Sequence, residues 1–172
     1  MSRLATQLRE LQAIIQDVTV NGVAASIVTP SLLRSLIYRL SGLHVETLSI
    51  SPRCTFVGRK VLIKDKTFVN RGVYFDASNN IEIGSNCAIG MEVMFCTSNH
   101  VYDDPRKRAG NVKSAPIVVK DGCWIGARAC IMPGVTIGQG CIVASGAVVT
   151  RDCAEHGLYG GIPAKRIKDL PT

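Results

Sequence analysis

Aromatic side chains are scarce in this chain: Phe, Trp and Tyr supply 5 % of 172 residues, and there is a single Trp. A core built on rings is therefore excluded. With 47 % hydrophobic residues and 16 Gly, the core has to be made of small and β-branched side chains, which argues against an ordinary sandwich or dinucleotide-binding fold. Long apolar runs are missing too, so no segment reads as a membrane span. The opening MSRLATQLRELQAIIQD is too charged for a secretory signal core, and the expected location is the cytoplasm. Paired cysteines of the C-x-x-C kind are absent. Seven Cys, an odd number, read as free thiols in a reducing compartment rather than as a disulfide framework or a zinc site. Acidic residues run short, 13 against 20 Lys and Arg, for a net charge of +7. An excess of that size suits an anionic ligand. Without a zinc finger, an RNA-binding signature or a long basic block, a phosphorylated small molecule is favoured over nucleic acid.

What the chain does have is a period. From Ile117 to Asp152 every sixth residue is aliphatic: Val119, Ile125, Ile131, Ile137, Val143 and Val149. Two positions before each stands another small or apolar residue: Ile117, Cys123, Ala129, Val135, Cys141 and Ala147. Gly122, Gly134, Gly140 and Gly146 follow the aliphatic residue by three. Such a unit is a very short strand, two inward side chains flanking one outward, closed by a turn. It is too short for a helical repeat or a hairpin, so the reading is a solenoid of short parallel strands. The same phase runs through Ile63, Val69 and Phe75, and again through Ile83, Ile89 and Phe95, with slips at DASNN and between Phe56 and Ile63. Cys54, Cys87, Cys123 and Cys141 occupy the small inward position, which explains them as core. The pattern, over about residues 54–152, resembles that of the hexapeptide-repeat left-handed parallel β-helix, an all-β solenoid. The expected organisation is a helical capping segment at 1–50, the β-helix at 51–153 and a short C-terminal tail at 154–172.

Carried past Phe95, the phase sets Val101 inward, but it then sets Lys107 and Lys113 inward as well. A lysine inside so narrow a prism is very costly. The chain is therefore expected to leave the coil after about Val101 and return near Ile117, with an excursion loop at 102–116. Long loops in compact solenoids are usually functional. His100, one of only three histidines, stands at the foot of this loop on an outward-facing position.

Four stretches carry a closer resemblance: FVNRGVYFD (Phe68–Asp76), TSNHVYDD (Thr97–Asp104), GCWIGARACIMPGVTIG (Gly122–Gly138) and YGGIPAKRIK (Tyr159–Lys168). Together they are similar to the hexapeptide acyltransferases, in particular the sugar and polysaccharide O-acetyltransferases of the maltose and galactoside type. The resemblance implies transfer of an acetyl group from acetyl-CoA to a hydroxyl of a sugar or glycoconjugate, without a metal, in a homotrimer whose sites lie between neighbouring prisms. It makes His100 the general base, a role that imidazole suits near neutral pH, and it puts Asn70 and Asp76 against the acceptor. Ala127, Ser145, Thr150 and Arg151 would lie along acetyl-CoA. Lys165 and Lys168 would meet its phosphates, standing where the family carries arginines, so that charge remains but the bidentate fork is lost. Trp124 is outward by phase and matches a Trp common in the family. Cys96 is the rival nucleophile, but no second histidine in the repeats stands ready to activate it.

Three further expectations come from the residues. Glu82 lies three hexapeptides before His100, so in a regular prism it would share the outward column and orient the imidazole; Asp103, Asp104 or a backbone carbonyl are the alternatives. Residues 3–17 and 30–41 read as helices, the second with Thr29 as N-cap, Pro30 at the first helical position and Gly42 beyond its end. Its apolar face, Leu32, Leu33, Leu36, Ile37 and Leu40, is expected to pack on the open end of the solenoid, with Arg34 and Arg39 directed elsewhere; attachment to a membrane surface is the less favoured alternative. Two other functions share the fold. A zinc enzyme like the γ-class carbonic anhydrases needs three histidines from the repeats, and His44 and His156 lie outside them; a non-catalytic binding scaffold leaves His100 and its loop without a purpose.

Overall fold

Short strands joined by tight turns close on themselves in the computed structural model, which describes residues 3–172. Parallel strands form three sheets, the faces of a prism. The first face carries His44–Val45, Val61–Ile63, Ile81–Ile83, Ile117–Val119 and Thr136–Ile137. The second carries Phe68–Val69, Ala88–Ile89, Trp124–Ile125, Ile142–Val143 and Gly157–Gly160, edged by the antiparallel Lys165–Asp169. The third carries Thr55–Val57, Tyr74–Asp76, Met94–Cys96, Cys130–Ile131 and Val148–Val149. This is the expected left-handed parallel β-helix, an exception to the right-handed crossover rule. Ile83, Val119 and Ile137 stack in register, as do Ile89, Ile125 and Val143, and Phe95, Ile131 and Val149, all of them buried.

The inward cysteines do more than fill space. Thr47, Thr67, Cys87, Cys123 and Cys141 form one column between the first and second faces, and each donates its hydrogen to a carbonyl of the following coil. Thr47 Oγ1 reaches Thr67 O at 2.7 Å and Thr67 Oγ1 reaches Gly84 O at 2.6 Å. The thiols of Cys87, Cys123 and Cys141 reach Lys120 O, Gly138 O and Ala154 O at 3.2, 3.1 and 3.1 Å. Thiols are weak donors, but they satisfy buried carbonyls that the strand ladders do not.

A second column is aromatic. Phe56, Phe75 and Phe95 stack at centroid distances of 4.6 and 5.3 Å, and Tyr38 closes the stack 4.9 Å from Phe56. The Tyr38 hydroxyl is buried without a hydrogen-bond partner, and burial pushes its ionisation far out of the ordinary phenol range. Tyr38→Phe removes an unsatisfied polar atom and keeps the ring, so thermal unfolding should show unchanged or higher stability, by up to about 1 kcal/mol.

Helix α1 (Arg3–Gln16) runs on without a break into a π-helical stretch, Asp17–Ala24, and α2 (Ser31–Leu40) caps the prism. Pro30 is the N-cap rather than the first helical residue, and Thr29 Oγ1 bonds back to Val23 O at 2.6 Å. Gly42 has φ of 88°, the left-handed conformation expected just past a helix end. The orientation of α2 reverses most of the expectation, although Ile37 does pack against the core and Arg39 is exposed as expected. Arg34, Ser35 and Tyr38 face the coils, while Leu32, Leu33, Leu36 and Leu40 face outward. The end of a solenoid presents backbone carbonyls, and a buried carbonyl needs a donor. Arg34 supplies four bonds, Nε to Ala24 O (2.8 Å), Nη1 to Ile50 O (2.9 Å) and Nη2 to Ser26 O and Thr29 O (3.0 and 2.7 Å). Ser35 Oγ adds one to Thr47 O at 3.4 Å.

Val101 is also placed differently. The chain leaves the coil after Thr97, and Val101 is 40 % exposed on a hairpin rather than inward. Thr97 is the last inward residue; its hydroxyl donates to Asp76 O at 2.6 Å and accepts from the Asn79 amide at 2.9 Å, and it stops the coil where the phase would have continued it.

Candidate active site

Ser98–His100 and Val112–Ser114 pair as an antiparallel hairpin that projects from the corner between the third and first faces. His100 lies opposite Val112. Its Nδ1 sits 2.9 Å from Gly110 O. A carbonyl only accepts, so Nδ1 carries the hydrogen and Nε2 keeps a free lone pair. Gly110 is required there, because a Cβ would stand 2.7 Å from Val101 O. Nothing but a loop glycine marked this partner in the sequence. His100 opens onto a hollow of about 390 Å³ lined also by Tyr102, Asp103, Lys113, Ser114 and Pro133.

Asp76 holds the root of the hairpin. Its carboxylate accepts the amide and hydroxyl of Ser98, the amide at 3.1 Å, and the amide and hydroxyl of Ser78 at 3.3 and 2.8 Å. Partial burial alone would raise its pKa; these four bonds outweigh it and hold the carboxyl below its ordinary value. Glu82 does not orient His100. With the hairpin inserted, Val118 is the residue paired with Glu82 on the first face, and the Glu82 carboxylate meets Lys64 Nζ at 3.2 Å instead. Asp104 is occupied by the amide and side chain of Arg106, at 2.9 and 3.3 Å. The carbonyl of Gly110 is the orienting group.

The other residues of interest fall on two corners of the prism. Asn70, Ala127 and Ser145 follow strands of the second face and share the corner between it and the third. Thr150 and Arg151 follow the third face, on the corner that also carries Asp76 and the hairpin. Within one chain, therefore, His100 and Asp76 are brought together but Asn70 is not. On the Asn70 corner Gly90 and Gly126 let successive coils pack closely, beside the exposed side chains of Arg71, Met91 and Arg128. A Cβ at Gly90 would stand 2.6 Å from the Ala127 amide nitrogen, and one at Gly126 2.5 Å from that of Ser145. Among the described residues the Ala127 and Ser145 amides have no acceptor. These two free donors suit a ligand that carries amide carbonyls. Lys165 and Lys168 are exposed on the edge strand at the C-terminal end, while Arg166 between them is bound to Asp169, the Tyr159 hydroxyl and the carbonyls of Ala154, Glu155 and His156. Trp124 is 56 % exposed between Ala88 and Ile142 on the second face. The Cys96 thiol is held protonated by the neighbouring Cys130 thiol and by burial. Among the described residues no three His, Cys, Asp or Glu side chains converge as a metal site.

Residues 116–151 match the family model described as bacterial transferase hexapeptide (six repeats). A proposed acetyltransferase of Schizosaccharomyces pombe is 37 % identical over 122 residues, which are 70 % of this chain and 59 % of that protein. A proposed acetyltransferase of Staphylococcus aureus is 34 % identical over 144 residues, 81 % of this chain and 72 % of its own length. The crystal structure of a hexapeptide-repeat-containing acetyltransferase of Vibrio cholerae, complexed with acetyl-coenzyme A, superposes with a TM-score of 0.82 at 30 % identity, covering 99 % of this chain and 91 % of that one.

Proposed function

Because the chain belongs to the hexapeptide-repeat acetyltransferase family, we propose that it moves an acetyl group from acetyl-CoA to a hydroxyl of a sugar or glycoconjugate, with His100 as the general base. The observation that carries this reading is the His100 ring, fixed through Nδ1 by Gly110 O and free at Nε2 over a hollow. Acetyl-CoA supplies the activated acetyl group as a thioester. Nε2 takes the proton of the acceptor hydroxyl as its oxygen attacks the thioester carbonyl, and returns it to the departing sulfur, so the base is restored each turn. No acyl-cysteine is needed, and the protonated Cys96 thiol is a poor nucleophile.

The split of the candidate residues over two corners supports a site between copies. Outward on the third face run Tyr74, Met94, Cys130 and Val148, and on the second Phe68, Trp124 and Ile142. In this reading a homotrimer sets the His100 corner of one prism beside the Asn70 corner of the next and covers the apolar stripes between copies. In that arrangement Asn70 and Asp76 meet the acceptor. The free amides of Ala127 and Ser145 meet the pantetheine arm, flanked by Thr150 and Arg151 of the neighbouring copy, and Lys165 and Lys168 meet the phosphates.

Calorimetry with acetyl-CoA and a screen of sugar acceptors test the reading. Replacing Lys165 and Lys168 together with Ala should raise the KM for acetyl-CoA about tenfold at low salt and by less at high salt, where screening already weakens the ion contacts of the parent, and leave the acceptor KM nearly unchanged. An equal rise in both constants would assign the two lysines to the fold instead.

A further inference from the structure

The outward face of α2 lies on the side of the helix opposite Arg34, Ser35 and Tyr38, which sit on the end of the solenoid. It therefore points along the prism axis, away from the coils. Leu32, Leu33, Leu36 and Leu40 are all exposed on it, and Ile27 and Val28 extend it; Leu40 is 80 % and Val28 83 % exposed. The stripes that suit side-by-side copies run along the second and third faces, so lateral assembly leaves this end uncovered. Parallel prisms would present several such ends in one plane.

Its charge decides what covers it. Residues 18–45 contain no Asp or Glu, but they contain Arg34 and Arg39. Arg34 is buried on the opposite side of the helix, so the cations at this end are the exposed Arg39 and Arg53, neither paired with a carboxylate among the described residues. Arg53 lines one hollow with Ile27. A second copy docked head to head would bring like charges together, which is unfavourable, whereas an anionic lipid surface complements both the leucines and the cations.

We infer that the α2 end of the prism is a docking face for an anionic bilayer surface, bound at the interface and not spanning it; among the described residues no helix is long and apolar enough to cross. The inference does not rest on the transferase reading, and its test uses no substrate.

The full chain is sedimented with vesicles of phosphatidylcholine alone and of phosphatidylcholine with phosphatidylglycerol. Binding to the anionic vesicles is expected, weakening as salt is raised. The double variant Leu36→Gln, Leu40→Gln, with unchanged circular dichroism and elution volume, should partition about tenfold more weakly, because two apolar side chains no longer leave water. A parent protein that stays in the supernatant with anionic vesicles overturns the inference. So does a double variant that binds as well as the parent, and so does one whose elution volume shifts to a smaller assembly, since the face would then belong to a second copy.

Discussion

Replacing His100 with Ala should lower acetyl transfer by about a thousandfold while acetyl-CoA still binds in calorimetry. Positioned general bases contribute on the order of 10²–10⁴, and this one is held by a backbone carbonyl that the substitution leaves in place. Added imidazole should restore part of the rate, because the variant keeps the hollow and loses only the proton acceptor. A Cys96→Ala control should turn over at close to the parent rate, since the thiol is held protonated by Cys130 and by burial. Glu82→Gln should leave the pH–rate profile where it was, because Glu82 serves Lys64 on another face. A His100→Ala variant with full activity, or a Cys96→Ala variant without any, would move the chemistry to another residue.

The second large effect is structural. Arg34→Ala should destabilise the capping segment by at least about 4 kcal/mol: hydrogen bonds to a charged group are worth roughly 1.5–3 kcal/mol each, and the four lost at once share one guanidinium, so their contributions fall short of a simple sum. Arg34 is 4 % exposed, and its guanidinium bridges the π-helical stretch, the α2 lead-in and the first coil through Ala24, Ser26, Thr29 and Ile50. Arg34→Lys keeps the charge but not the planar fork, and should recover only part of the loss. Arg39→Ala is the comparison: its bonds to Val45 O and Glu46 O, at 2.6 and 2.9 Å, lie at a more exposed position and should matter less. Solenoids unfold in parts, so hydrogen exchange over residues 17–58 is the sensitive measure, and it should quicken there before the later coils respond. Unchanged exchange in Arg34→Ala would mean that the cap is held by Tyr38 and its ring stack alone.

Much of this was legible in the residues. The six-residue spacing placed Ile117 through Val149 in the core one by one, gave Cys87, Cys123 and Cys141 their inward column, and showed through Lys107 and Lys113 that a loop had to intervene. These are local facts, since each repeat carries its own inward pair and turn, and each contacts only its neighbours. The register across the loop was not local. Counting back from His100 led to Glu82, but the hairpin leaves the coil at Ser98, and its length is not written in the spacing of the repeats on either side. Val118 takes the place over Glu82, and Gly110 the place beside His100.

The sequence by itself determined the prism, its inward side chains, the loop and the histidine at its root, because a strict period leaves one way to keep small side chains dry and charges wet. Only the tertiary structure decided which side of α2 faces in, which group holds the imidazole, and that Asn70 and His100 stand on different corners of one chain. An amphipathic pattern says that a helix has two sides, but which side is buried depends on what it meets. Here it meets carbonyls of the first coil and of its own lead-in, and they take arginine and serine in preference to leucine.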